Sequence, residues 1–139
     1  MKITHRKIVE VHNVLEGLGK NIFAPKLAFQ VIRAKQALAP EIEAIVEAQK
    51  LLALTPEIEA YNAEQKALDQ NDPEFREKSM AIYEKNKDLV DGYRQKEAEF
   101  NKMLDEEIEL EIPGIELNLL PEDALTVSDI ETLMPILVD

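Results

Sequence analysis

The stretch that decides the fold is PEFREKSMAIYEKNKDLVDGYRQKEAEFNKMLDEE, residues 73–107. A polar break precedes it at 68–73, where Asn71 or Asp72 can cap a helix and Pro73 suits its first turn. From there the sequence predicts one unbroken helix, roughly 50 Å long at the α-helical rise per residue. Its apolar side chains recur approximately every seven residues: Phe75, Ile82, Leu89, Tyr93, Phe100 and Met103.

One narrow apolar stripe cannot stabilise so long a helix alone, so this helix needs a partner. The helices before residue 72 are the nearest candidates. We therefore predict a mainly α fold: a long antiparallel, coiled-coil-like helical hairpin, a short extended or β C-terminal arm, and a small terminal helix. Asn86 and Lys96 interrupt the seam. In this prediction 1–107 form the hairpin region and 108–139 the arm with its capped helix, within a single domain.

Two helices are predicted at the start of the chain. Thr4 is a suitable N-cap for the first helix, and Gly17 and Gly19 suit its end. After a short connection, Pro25 suits the first position of the second helix. The apolar faces are Ile8, Val11, Leu15 and Leu18 in the first helix, and Leu27, Val31, Ile32, Ala34 and Leu38 in the second.

The chain contains one internal echo, in which LAPEIEA at 38–44 recurs as LTPEIEA at 54–60. Proline followed by carboxylates is typical of a helix N-terminus, and Thr55 adds a cap to the second copy. The two copies indicate two helix starts or kinks, or a true duplication. Pro40 either breaks its helix or only bends it.

After Met103 the apolar period changes from helical to two, which is typical of a strand. The alternation has two halves, before and after Pro113-Gly114. A hairpin at this dipeptide conflicts with the positive φ that tight hairpin turns require first, so a single extended arm is the alternative. Such an arm, with one apolar and one acidic edge, suits pairing with another strand or lying in a groove.

The chain ends with a short helix. Ser128 and Glu131 have the spacing of a capping box, and Pro135 limits the helix to a couple of turns. We predict that the arm and this helix dock on a partner. The predicted partner-binding residues are Ile108, Leu110, Ile112, Ile115, Leu117, Leu119, Ile130, Leu133 and Met134.

Charge is distributed unevenly along the chain. Residues 1–40 carry seven Lys/Arg against two Glu, whereas 103–139 carry eleven Asp/Glu and neither Lys nor Arg. The net charge of −12 disfavours direct nucleic-acid binding, because phosphate contacts need clustered cations. The basic first quarter is the place for such contacts; the alternative is that its cations face the protein's own acidic segments or those of a neighbouring copy.

The residues offer little for catalysis or metal binding. The chain has no cysteine, and it lacks a glycine-rich phosphate loop, a GxSxG motif and an SxxK motif. His5 and His12 are about 10 Å apart on a helix, too far to share a metal, so we expect solvated surface histidines. The acidic run could collect Ca²⁺ or Mg²⁺ weakly, but a solvated or partner-facing edge is the better interpretation. Its members are Asp105, Glu106, Glu107, Glu109 and Glu111. We predict no enzyme, no cofactor and no metal.

The order of parts resembles a group of short helical bacteriophage and prophage proteins of unknown function. The opening MKITHRKI, the LxPEIEA motif near residue 40 and the ending carry the similarity. In the ending, an alternating Glu/aliphatic strand precedes LLPE at 119–122 and SDIETLMP at 128–135. The second PEIEA copy departs from the pattern. The resemblance implies a viral accessory or virion protein.

We therefore hypothesise a non-enzymatic phage protein that works by self-association or by binding a viral or host protein. The alternative is an acidic inhibitor of a host nucleic-acid enzyme, such as RNA polymerase or a nuclease. The first residues lack the apolar core of a signal peptide, and no window approaches the roughly 20 apolar residues of a membrane span. The expected location is the host cytoplasm or the virion.

Overall fold

The structure is a computed structural model that describes residues 1–20, 24–121 and 123–139. It is mainly helical with a few short strands, as the sequence predicts. The chain divides into two compact units. We call Met1–Glu47 with Lys102–Asp139 the terminal unit, and Ala48–Asn101 the middle unit.

In the described part of the chain, the strands lie near the two ends and helices make up most of the middle. The α-helices are α1 (His5–Gly19), α2 (Pro25–Gln49), α3 (Pro56–Lys66), α4 (Phe75–Lys85), α5 (Lys87–Leu104) and α6 (Val127–Leu133). The strands are β1 (Lys2–Thr4), β2 (Glu107–Glu109), β3 (Ile115–Glu116) and β4 (Leu137–Val138). Short 3₁₀ turns cover Lys50–Leu52, Leu117–Leu119 and Met134–Ile136.

The core of the terminal unit combines residues from both ends of the sequence. The predicted faces of α1 and α2 are buried, apart from Ile32, which is more than half exposed. Ile32 differs because it lies one residue, or about 100° around the helix, beyond the buried series. The core residues are Ile3, Ile8, Val11, Leu15, Leu18, Leu27, Val31, Ala34, Leu38, Ile115, Leu133 and Ile136.

Two small sheets hold the C-terminal arm. β1 pairs antiparallel with β2, with Ile3 opposite Ile108, and β3 pairs parallel with β4, with Ile115 opposite Leu137. The two halves of the arm therefore pair with different strands and do not form a hairpin at Pro113-Gly114. A Cβ at Gly114 would lie 2.9 Å from Val138 Cγ1, so any larger residue there would force a shift between β3 and β4.

The helix predicted over 73–107 is divided in two. α4 ends at Lys85, and Asn86 has φ −116° and ψ 17°, outside helical values. The Asn86 side chain donates a hydrogen bond from Nδ2 to the Ile82 carbonyl at 2.9 Å, which competes with the backbone ladder. α5 then begins at Lys87 and ends before the acidic run.

The two LxPEIEA copies have different structures. Pro40 lies inside α2, which continues through it to Gln49, so it does not break the helix. Pro56 occupies the first turn of α3, where Thr55 Oγ1 accepts a hydrogen bond from the Ile58 N–H at 3.3 Å. The second copy is a helix start, and the first lies inside a continuous helix, so of the two alternatives for Pro40 a break is excluded.

The N-caps of the terminal unit differ in how well the sequence identified them. Thr4 caps α1 as predicted, with Oγ1 accepting from the Lys7 N–H at 3.1 Å. The capping box of α6 consists of Thr126 and Asp129, so the prediction of Ser128 as the cap is wrong.

The connection predicted after α1 falls on 21–23, outside the described residues.

Candidate functional site

The structure places most of the predicted partner-binding residues against the protein's own core. Ile115 and Leu133 are fully buried. Leu117 and Met134 are exposed, and Ile130 is half-buried. Four further residues are partly buried and pack against the core: Ile108, Leu110, Ile112 and Leu119. The apolar edge of the arm therefore packs against the core of its own unit.

Polar contacts fix the arm to the basic first quarter of the chain. Lys26 Nζ lies 2.8 Å from Glu116 Oε2, and Arg6 Nε donates to Asp105 Oδ1 at 3.0 Å. Gln30 forms two hydrogen bonds with Glu116 in β3. Its Nε2 donates to Glu116 Oε2, and its Oε1 accepts from the Glu116 N–H, each at 2.9 Å. The hydrogen bond from Lys26, followed by that from Gln30, lowers the pKa of Glu116 below its ordinary value.

The two histidines are less solvated than the sequence predicted. His5 Nδ1 lies 3.0 Å from the Met103 carbonyl oxygen and 3.2 Å from that of Glu106. Since both partners are acceptors, Nδ1 is the nitrogen that donates, and the ring joins the start of α1 to the end of α5. His12 is half-buried, with Nε2 3.6 Å from Glu16 Oε1. Both side chains have structural contacts that residue spacing alone does not show.

The acidic run carries its carboxylates outward. Glu107, Glu109 and Glu111 are exposed, while the aliphatic residues between them face the core. Over residues 1–20, 24–121 and 123–139, no group of three or more His, Asp or Glu side chains is arranged to hold a metal ion. Among the same residues, no helix has the length and hydropathy needed to cross a bilayer.

An exposed apolar face lies on the side of α2 away from the core. Phe29 and Ile32 are 60% and 53% exposed and lie one helical turn apart, and Val46 is exposed further along the same helix. Arg33 stacks on the Phe29 ring, with Cζ 5.7 Å from its centroid. Beside Ile32, a groove of about 320 Å³ runs between α1 and α2. The sequence signal for this face was the i, i+3 pair of Phe29 and Ile32, offset from the buried stripe.

A second concave surface lies in the middle unit. α3, α4 and α5 enclose a cleft of about 580 Å³. Its lining contains three aromatic side chains, a methionine, two uncharged polar side chains and two arginines. The lining residues are Tyr61, Gln65, Phe75, Arg76, Ser79, Met80, Tyr83 and Arg94.

Hydrogen bonds connect α3 to α4 at the wall of this cleft. Gln65 Nε2 donates to the Ser79 carbonyl at 3.0 Å, and Ser79 Oγ donates to Gln65 Oε1 at 2.8 Å. The Tyr83 hydroxyl donates to the Asp91 carboxylate, and this hydrogen bond raises the pKa of Tyr83. This hydrogen bond also connects α4 to α5.

Apolar, aromatic and polar side chains line the two concave surfaces, and the cleft of the middle unit also contains Arg76 and Arg94. Comparison of the chain with protein-family models, with curated proteins and with solved structures gives no match.

Proposed function

We propose that the protein is a non-enzymatic phage accessory or virion-associated protein that acts by self-association or by binding another protein. The exposed face of α2 is the observation that carries the association. The viral setting rests on the resemblance of the MKITHRKI opening, the LxPEIEA motif and the ending to phage and prophage proteins. The long coiled-coil-like hairpin predicted from the sequence stays a prediction.

The α2 face favours association for a physical reason. Phe29 and Ile32 each leave more than half of their surface in water, although the buried side of the same helix is already filled. Burial of apolar surface is favourable by about 25 cal/mol per Å². An exposed pair of large apolar side chains one turn apart on a helix suits a self-complementary contact between two copies of the chain.

The proposal is tested by sedimentation velocity of the full chain over a range of concentrations. We expect the sedimentation coefficient of the wild-type protein to rise with concentration. Ile32→Glu should weaken association by about tenfold or more, since it places a carboxylate in the contact. Val127→Glu is the matched control, because it also replaces an exposed aliphatic residue by a carboxylate. A wild-type protein that stays monomeric throughout, or equal effects of the two substitutions, would contradict the proposal.

The alternative function, an acidic inhibitor of a host nucleic-acid enzyme, draws on the outward carboxylates of the arm. Glu107, Glu109 and Glu111 present charges at alternate positions, about 7 Å apart along an extended chain. A row of anions at regular spacing can compete with a phosphate backbone for a basic cleft. Under this alternative, the protein displaces DNA from RNA polymerase or a nuclease at low salt, and replacing all three by glutamine abolishes displacement. Displacement that survives the triple substitution would rule the carboxylate row out.

A further inference from the structure

The cleft of the middle unit contains two arginines, Arg76 and Arg94. Neither Arg76 nor Arg94 forms an ion pair with any residue that the structure describes, although Asp and Glu outnumber Lys and Arg in this unit. Arg94 lies over the Tyr83 ring, with Cζ 5.6 Å from the centroid. Stacking of this kind fixes the guanidinium plane and leaves its N–H donors available to a ligand.

Beside the arginines, the cleft offers apolar surface. Phe75 and Tyr61 supply ring surface, and Met80 is 57% exposed at the opening. An exposed methionine beside aromatic rings is typical of surfaces that accept varied apolar side chains, because the thioether chain is flexible and polarizable. Gln65 and Ser79 satisfy each other, so they hold the walls in place and do not compete for a ligand.

We propose that this cleft binds a short acidic peptide segment of a partner protein, with carboxylates on Arg76 and Arg94 and a neighbouring apolar side chain on Phe75 and Met80. Planar, bidentate pairing with carboxylates is the interaction for which arginine is best suited. A cleft of about 580 Å³ accommodates a few side chains. The charge of −12 on the whole chain disfavours a long polyanion, whereas a segment with two or three carboxylates meets its two cations locally.

The binding of such a segment is separate from the α2 face and does not rest on self-association. The probe is a labelled short peptide that alternates glutamate and leucine, and its binding to the full chain is followed by fluorescence anisotropy at low salt. The same peptide with glutamine in place of glutamate, and an oligothymidylate of equal length, are run in parallel. We expect saturable binding of the acidic peptide only, weakening as salt is added.

The substitutions that test the site are matched in charge. The double variant Arg76→Gln with Arg94→Gln should weaken peptide binding by about tenfold or more, as expected for loss of close charge pairs. Lys66→Gln with Lys96→Gln removes the same charge from exposed positions outside the cleft lining, and should change binding by less than about twofold. Thermal unfolding of both doubles checks that the fold is retained.

A third variant tests the apolar half of the cleft. Met80→Gln, at an exposed position, should weaken binding of the acidic peptide several-fold while leaving the thermal unfolding temperature unchanged. Absence of peptide binding, equal losses in the two double variants, equal binding of the glutamine peptide, or tighter binding of the oligonucleotide would each overturn the proposal. Because none of these variants touches α2, sedimentation of the wild-type protein remains an independent test of self-association.

Discussion

Leu133 and Met134 are sequence neighbours with opposite environments. Leu133 is fully buried in the core of the terminal unit, whereas Met134 is 63% exposed. Both belong to the apolar terminal helix that the sequence predicted to dock on a partner. The residue types alone could not separate them, because leucine and methionine are similarly apolar and the helix is too short for a clear period.

The pair provides a stability test at the residue scale. Leu133→Ala should lower the free energy of unfolding by about 2–5 kcal/mol, because it removes buried methyl groups and leaves a cavity. Met134→Ala should change it by no more than about 0.5 kcal/mol. Urea unfolding followed by circular dichroism measures both. Comparable losses would show that the arm is not held on its own core in the way described.

Residue-level predictions succeeded where a strict helical period repeated over several turns. Ile8, Val11, Leu15 and Leu18 form an unambiguous stripe, and all four are buried. The prediction of the α6 N-cap was wrong because Thr126 and Ser128 each stand three residues before an acidic side chain. Both satisfy the capping-box pattern, and only the position at which the helix begins decides between them.

At the scale of elements, the two LxPEIEA copies are a natural controlled comparison. Pro40 lies within α2, where it removes a backbone N–H and crowds the carbonyl of Gln36. Pro56 lies in the first turn of α3, where neither cost applies. The same seven-residue motif therefore places proline in an unfavourable setting once and in a favourable setting once.

Replacing each proline by alanine should give effects of opposite sign. Pro40→Ala should raise the free energy of unfolding by about 1–3 kcal/mol, because it restores a helical hydrogen bond and a residue of high helix propensity. Pro56→Ala should lower it by at most about 1 kcal/mol, since it increases the entropy of the unfolded chain. Denaturant unfolding of both variants is the measurement, and a destabilised Pro40→Ala protein would refute this account.

Local sequence predicted which elements exist more reliably than how they pair. The break at Asn86 reflects a side-chain hydrogen bond to the backbone, which the seven-residue apolar pattern obscured. The partners of β2 and β3 lie at the two ends of the chain. Pairing over such separations depends on the assembled core, so no window of sequence contains it. The cleft of the middle unit escaped prediction for the same reason, since three helices contribute to it.

At the scale of the whole molecule, basic residues from the start of the chain form ion pairs with acidic residues near its end. Lys26 and Arg6, from the basic first quarter, contact Glu116 and Asp105 in the acidic last quarter. Part of the attraction that the sequence predicted between the ends is thus satisfied intramolecularly. The exposed carboxylates of the arm and the exposed apolar face of α2 remain on the surface.

This arrangement predicts a pH dependence of stability. The pKa of Glu116 is lowered from 4.5 in the folded protein, so its contribution is complete above that pH and is lost as the pH falls through the lowered value. Glu116→Gln should be less stable than the wild type at neutral pH, and the difference should shrink as the solution is acidified below 4.5. Unfolding at several pH values measures this.

Glu111→Gln is the control for the pH experiment. Glu111 is exposed and makes no ion pair with the described residues, so its replacement should leave the pH profile of stability close to that of the wild type. A difference between Glu116→Gln and the wild type that stays constant across acid pH would contradict the proposed ionic contribution.

The division of the terminal unit between the two ends of the chain also affects its biosynthesis. A ribosome synthesises α1 and α2 first, but their apolar faces are completely covered only when Ile115, Leu133 and Ile136 have been made. At about 5–20 residues per second, the roughly hundred residues between Leu38 and Ile136 take about 5–20 s. Throughout that interval the nascent chain presents an uncovered apolar surface to chaperones and to neighbouring copies on the same message.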